Sequence, residues 1–502
     1  MATMRITTGM AMNTYRYNLQ NSTYNLTDAR NKVLSHRNFD TFAEDPTAAA
    51  QAWKIRRAMV DNSNYQSNNS NTYSRFNFGW ATMGMIKTDL ETEADVSDIR
   101  ARQDATAGAR VDLGKILNDT AESVIQAMNS AKFGDHFVFS GDDEMNAPFS
   151  WSADGKTLYY RGVDVNSGGV KKPTDEPDWG EIDIGTGLPQ KMPYTGRNAV
   201  EQAWVDYYKN QKEWAAYEEY QQAQADYEAN QQAWADYEAN QQAWADHREN
   251  GAPEPAEELA EPSVKLEQPA KVEEPATPKL NKPSEEYATD PFAAESTNEF
   301  GVPGTAYAKL NSADPAERLW ATYYVDQGDK KRLDALAAEY ENIDLGMGLQ
   351  EDENGKLING TAFNRSLPGI NMLGYGRDED GDPVNISLIM KRLGEIYSAC
   401  DPTTGKFSED PVEDAALTRE ADRLLDKYQA ATDRTNASYV DVETKAHYLN
   451  QNQARLKLQG DYLQEERENI ENVDLADAIT QLNWVMASAR STFSMFSRSS
   501  WR

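Results

Sequence analysis

The order of the residues predicts an α+β chain: a long antiparallel α-helical bundle or coiled coil built from both termini. Between them lies a β-rich middle domain that carries a helical repeat and a Pro-rich insertion. Three observations carry this reading. Apolar residues recur at heptad spacing near each end, and the hydrophobic period shortens to that of strands after Gly134. A ten-residue repeat followed by a proline-rich stretch then interrupts the centre.

At the N-terminus Met12, Leu19, Leu26 and Val33 recur every seven residues, with Tyr15, Ser22 and Ala29 interleaved. At the C-terminus Leu475, Ile479, Leu482, Met486, Ala489, Phe493 and Phe496 alternate steps of four and three. Such spacing puts one apolar seam on each helix, the seam that coiled coils bury. Neither segment contains Pro, and Asp474 stands where an N-cap would start the last helix. Each helix is roughly 37 Å long and would be marginal alone, because helix stability comes from a packed face. The bland reading is two amphipathic helices packed on separate domains. The sharper one has Met12, Leu19, Leu26, Val33, Leu475, Ile479, Leu482, Met486, Phe493 and Phe496 as interface residues, pairing the ends with each other and with neighbouring copies.

Longer helices adjoin these ends. After Pro46 one is expected from Thr47 to about Ala101, through Tyr73, Phe76, Trp80, Met83 and Leu90, and a second from about Gln103 to Lys132. Tyr439, Val442, Ala446, Leu449, Leu456, Leu463 and Ile470 form a matching stripe on the C-terminal side. The chain is therefore a long hairpin with something else in its middle.

Charge and composition exclude several functions. With 82 acidic and 50 basic residues the formal net charge is −32, the wrong sign for phosphate backbones or anionic membranes. No run of about 18 apolar residues occurs, so no membrane span and no cleaved secretory signal is expected, and the residues read as a soluble protein. Cys400 is the only cysteine, and His36, His136, His247 and His447 are scattered, so neither a disulfide nor a metal centre is expected. No nucleophile–base pair or cofactor loop stands out. The expectation is a protein that is not an enzyme, with no cofactor and no metal.

Three stretches together resemble the bacterial flagellin superfamily. The first is MRITTGMAMNTY from Met4, followed by Leu34-Ser35 and then Phe42-Ala43-Glu44-Asp45-Pro46-Thr47-Ala48-Ala49-Ala50. The second, Gly134-Asp135-His136-Phe137-Val138-Phe139-Ser140-Gly141 with Pro148-Phe149, is similar to a segment of the superfamily's hook-associated branch rather than of filament flagellins. The third is Asp474-Leu475-Ala476-Asp477-Ala478, leading into the C-terminal heptads. The acidic pair before Pro46 points the same way. There are departures. The glycine that the family places after Leu34-Ser35 is replaced by His36-Arg37, and the chain ends in Ser497-Arg498-Ser499-Ser500-Trp501-Arg502 instead of an apolar tail.

The resemblance implies an extracellular structural subunit of the flagellum that joins hook and filament. It would be exported without a cleaved signal and assemble as its terminal helices pair. It also implies partners: other hook-associated proteins and flagellin, a ring of like subunits, the flagellar export apparatus and a secretion chaperone. By the same likeness residues 1–45 and 473–502 form an inner assembly layer, and 46–141 and 386–472 a helical second layer. Residues 142–385 form a variable region that faces outward. Two alternatives stay open: a filament flagellin, and a secreted module that grips glycan or a partner through the aromatic repeat.

The middle reads as strands in PFSW and LYYRG around a turn at Asp154-Gly155, with a second hairpin at Asn354-Gly355. Ile182-Asp183-Ile184-Gly185-Thr186-Gly187-Leu188 resembles Ile343-Asp344-Leu345-Gly346-Met347-Gly348-Leu349; neither opens a helix as a phosphate loop must, and two similar strands are expected, either paired or apart. Residues 201–250 repeat with period ten, Trp204, Trp214, Trp234 and Trp244 sharing one phase and Gln224 substituting once. At about 100° per residue ten residues fall about 80° short of three turns, so the aromatic stripe winds around a helical rod and no flat partner could cover it. Either the repeat is a tandem expansion, exposed or packed on its own hairpin, or an aromatic ladder for glycan or a neighbour. Residues 251–300, rich in proline and acid, are expected to be an extended, solvated linker. The acidic turns QEDENG and RDEDGD lack the closing glutamate of a calcium loop and are read as hairpin turns.

Overall fold

A computed structural model describes residues 8–251, 253–255, 260–262, 264–355, 357–358 and 360–499, with backbone alone for 8, 11, 101–105 and 495–499. The helices are α1 (Thr8–Ser35), α2 (Pro46–Thr92), α3 (Val96–Ala105), α4 (Ala107–Ser130), α5 (Ala199–Asn250), α6 (Pro283–Glu286), α7 (Ala306–Lys309), α8 (Pro315–Ala337), α9 (Gly369–Leu373), α10 (Ile386–Ser398), α11 (Pro411–Glu471) and α12 (Leu475–Ser499). The strands are β1 (Lys132–Phe133), β2 (His136–Phe137), β3 (Phe149–Trp151), β4 (Leu158–Tyr160), β5 (Val163–Asp164), β6 (Asn342–Ile343) and β7 (Phe363–Asn364). The α+β mix follows the expectation. The middle does not read as β-rich: among the described residues its sheets have two or three short strands, and helices carry most of its ordered length.

The chain divides into two compact units, Met1–Trp80 with Tyr340–Arg365 and Asp441–Arg502, and Ala81–Glu339 with Ser366–Val440. Both divisions between helices fall inside α2 and α11, so the two long helices belong to both units.

In the first unit α2 and α11 run antiparallel. Asn69 Nδ2 donates to the Leu449 carbonyl (2.9 Å) and Gln453 Oε1 (2.8 Å), and Asn62 Nδ2 to the Leu456 carbonyl (3.1 Å). Asn452 Nδ2 reaches back to Asn69 Oδ1 (2.9 Å), and both residues are buried. A buried amide pair of this kind is satisfied in only one register, so it fixes how the helices slide. The IDLGMGL segment packs here. Ile343 pairs with Phe363, Leu345 is buried, and a Cβ on Gly346, which has φ 73°, would meet Tyr65 at 2.9 Å. Its glycines serve a tight turn. Its expected partner, IDIGTGL, pairs locally instead, Ile182 with Pro189, so the two are not one ladder.

In the second unit α4 crosses α10 where Gly114 and Gly394 let the backbones approach; a Cβ on Gly114 would lie 2.6 Å from the Ser398 nitrogen. Leu113, Leu117, Val124 and Met128 pack there with Ile389, Leu393 and Tyr397, all buried. The expected single helix over 47–101 is broken: Asp95 accepts N–H bonds from Ser97 and Asp98 and so caps a new helix, α3. The Asp154-Gly155 hairpin is present, with Phe149 opposite Tyr160 and Trp151 opposite Leu158, and Gly155 at φ 69°.

The repeat forms a helix of 52 residues, α5, capped by the Asn198 side chain and ended by Gly251 in the left-handed conformation. Its root is embedded, Val200, Trp204 and Val205 packing with Val170, Trp179, Leu188, Met192 and Leu319. The proline-rich stretch is largely exposed. Residues 264–282 lie back along α5, held by Asn210, Gln211, Trp214 and Asn230.

The RDEDGD turn also lies in this unit. Asp378 accepts the N–H groups of Asp380 and Asp382, each at 3.0 Å, and Arg377 bridges to Pro383. Where a calcium loop would hold its ion, the Lys427 ammonium lies 2.6, 3.0 and 2.5 Å from Asp378, Asp380 and Asp382. The turn is a hairpin whose charge is met from within the protein.

Candidate assembly surface

The two terminal helices meet at an elbow before they meet along their lengths. The Val473 N–H donates to the His36 carbonyl (3.1 Å) and the Asn38 N–H to the Glu471 carbonyl (2.8 Å). Asn38 Nδ2 adds bonds to the Ile470 and Asn472 carbonyls, at 3.1 and 2.9 Å. The end of α1 is thus tied to the start of α12; since α12 packs on α1, the pair runs antiparallel. His36 has φ 58°, the left-handed region that favours glycine. Here the histidine carries the strain of the bend.

Acidic caps set the helix starts at the elbow. Asp45 accepts the N–H groups of Thr47 and Ala48 at 3.1 and 2.9 Å, and Asp474 those of Ala476 and Asp477 at 2.8 and 3.3 Å. Glu44 turns back onto the Asp40 N–H (2.7 Å), a bond that holds its carboxyl below the usual range. Arg56 binds Glu471 at 2.6 Å and likewise lowers its pKa. Beside them a cleft of about 460 Å³ opens, lined by Arg37, Phe39, Phe42, Trp53 and Arg56 among others. Phe42 and Trp53 are themselves exposed.

Along α1, Tyr15, Leu19, Ser22, Leu26 and Val33 are half-buried and Ala29 is buried, whereas Met12 is exposed. These are the two interleaved heptad rows, and together they make one face. On α12 the closest packing is rotated from the expected seam. Ala478 and Ala489 are buried, and Leu482, Val485 and Met486 are half-buried. Leu475, Ile479 and Phe493 instead stand at the flank, 41%, 43% and 57% exposed. The side chain of Phe496 lies outside the described residues, as do Met4–Thr7 and Ser500–Arg502.

The physical reason is width. A heptad row names one line on a helix, but the apolar face of α12 is broader than one partner helix can cover. Alanine lets the backbones approach most closely, so the closest line runs through Ala478 and Ala489. Larger apolar side chains beside that line stay outside the pair. Reading the heptad alone missed these flanking groups: Trp484 on α12, and Met10, Tyr17, Tyr24 and Leu34 on α1, all exposed. They were discoverable as apolar residues one or two positions off the row. The chain thus has a self-paired helical end with an uncovered apolar margin on both helices. Burying a large side chain fully is worth about 1.5–3 kcal/mol, so several of them suffice to drive association.

No helix among the described residues is long and apolar enough to cross a membrane. Neither a family model nor a curated protein matches the sequence.

Proposed function

We propose that the chain is a structural subunit of the bacterial flagellum, placed at the junction of hook and filament. Its terminal helices would form the inner layer of a ring of like subunits. The observation that carries the reading is the pair α1–α12, tied at the elbow and still presenting Leu475, Ile479, Trp484 and Phe493 to a neighbour. Two of the motif stretches support the placement: Glu44-Asp45-Pro46 and the Gly134–Gly141 segment are similar to the hook-associated branch rather than to filament flagellins.

The mechanism follows from the marginal stability of the ends. A lone helix of this length gains little, so the termini travel unfolded through the export channel and order as their seams are buried on arrival. Without disulfides nothing prevents full unfolding during export. The partners on this reading are other hook-associated proteins, flagellin, the export apparatus and a secretion chaperone.

Removal of the gene tests the reading. Cells should keep hooks, lose filaments and release flagellin monomers into the medium, with filaments restored by the gene in trans. Normal filaments in its absence would overturn the junction role.

A further inference from the structure

The repeat helix and the proline-rich strap form a clasp with its own recognition rule. Asn210 Nδ2 donates to the Pro278 carbonyl (3.1 Å) while its Oδ1 accepts the Leu280 N–H (2.8 Å). Asn230 does the same twenty residues on, to the Val264 carbonyl (3.4 Å) and the Leu266 N–H (3.0 Å). Each asparagine therefore reads an extended backbone at positions i and i+2, without regard to side chain. Gln211 and Trp214 add backbone bonds, to the Leu280 and Thr277 carbonyls at 3.1 and 3.0 Å.

The spacing explains how one strap follows a winding stripe. Half-buried positions on α5 advance by three, three and four residues, through Trp214, Tyr217, Tyr220, Gln224, Tyr227 and Asn230. Each aromatic pair repeats one geometry: Trp214–Tyr217 lie 5.9 Å apart at 84° and Trp234–Tyr237 6.0 Å at 88°. From Asn210 to Asn230 the helix rises about 30 Å while the stripe turns about 160°, a path of about 37 Å at a radius of about 8 Å. The fourteen residue steps from Leu280 back to Leu266 span at most about 43 Å in polyproline form, enough for that path. Charge agrees as well: residues 211–250 hold nine acidic groups and two basic ones, whereas the strap holds Lys265, Lys271, Lys279 and Lys282 against Glu267, Glu273 and Glu274. Lys279 binds Glu218 at 3.1 Å and Lys265 lies 5.9 Å from the Trp234 ring centre.

We propose that this clasp is an exchangeable interaction surface, and that α5 of one copy takes the 264–282 strap of a second copy of this chain. The bonds that hold the strap beyond residue 210 come from α5, so a partner's strap makes the same bonds at no loss. The strap is tied to its own chain at both ends, through residues 251–263 and at the buried Pro283, and these ties set how concentrated it is at its own helix. A short tether gives an effective concentration on the order of millimolar, so exchange competes once copies are packed to a similar density. The proposal does not rest on the flagellar reading, because the isolated protein suffices to test it.

In a Cys400→Ser background, Gln211→Cys and Leu280→Cys are made singly and together. The double variant should oxidise to a closed monomer, which reports the clasp in its own chain. An equimolar mixture of the two single variants, held in a thiol–disulfide buffer, should give a mixed disulfide dimer. Its yield should rise from near zero at about 10 µM to a major species at about 1 mM, and fall severalfold when Asn210 and Asn230 are both Ala. Closure of the double variant with no mixed dimer at the high concentration would overturn exchange. So would a dimer indifferent to the two asparagines, and failure of the double variant to close would overturn the clasp itself.

Discussion

Replacing Leu26 or Leu482 by aspartate should abolish incorporation of the subunit into flagella. Both side chains are half-buried between α1 and α12. A carboxylate placed there either loses hydration worth several kcal/mol or forces the helices apart. Each helix alone is marginal, so separating the pair unfolds the ends rather than merely loosening them. Isolated Leu26→Asp and Leu482→Asp proteins should keep the cooperative unfolding of the second unit, measured by tryptophan fluorescence, while losing helical circular dichroism from the termini. Sheared flagella should contain neither variant. Normal incorporation of both would contradict the assignment of the terminal pair to assembly.

Asp382→Asn should destabilise the second unit by about 3–5 kcal/mol, the cost of leaving buried charges uncompensated. Asp382 is buried, and Arg197 (2.9 Å), Arg423 (2.6 Å) and Lys427 (2.5 Å) converge on its carboxylate. Burial alone would raise its pKa, but Arg423 and Lys427 outweigh that and hold it down at about 2. The folded value lies below the ordinary 3.8, so the contribution to stability is present above about pH 4 and lost as pH falls from about 4 towards 2. A shift of that size corresponds to about 2 kcal/mol. Urea unfolding of the wild type at pH 6 and pH 3 should show about half of this loss, since pH 3 lies midway between the two values, and Asp382→Asn should be weak at both. Equal stability of variant and wild type at pH 6 would contradict the account of this cluster.

Periodic features of this chain were legible in its sequence. The terminal heptads, the long helices beside them and the helical repeat all follow from apolar spacing, which is a property of neighbours along one chain. The Asp154-Gly155 and Asn354-Gly355 turns were legible because glycine at positive φ has few other uses. The break between α2 and α3, where one helix was expected, had a local signal that the apolar spacing overrode: Asp95 followed by Ser97 and Asp98 is a cap sequence inside a helical pattern.

Other features depend on residues far apart. Lys427 answers Asp378, Asp380 and Asp382 from another helix, and no local pattern announces that partner. The strap was read as an extended, solvated linker from its composition; its attachment to α5 is backbone bonding to asparagines, which composition does not register. The closest packing on α12 takes in Ala478, off the expected row, beside Ala489, on it, because close approach favours small residues, whereas heptad reading favours large ones. In the candidate surface the rows were thus visible, and the uncovered margin, Trp484 above all, was not.

Immunogold electron microscopy of intact flagella, with antibody against residues 201–250, tests the central claim most directly. Label confined to a narrow band between hook and filament is the predicted result. Label along the whole filament would contradict the junction placement and make the chain a filament subunit. Flagella bare to this antibody and to a second one against residues 301–380 would contradict the flagellar reading itself.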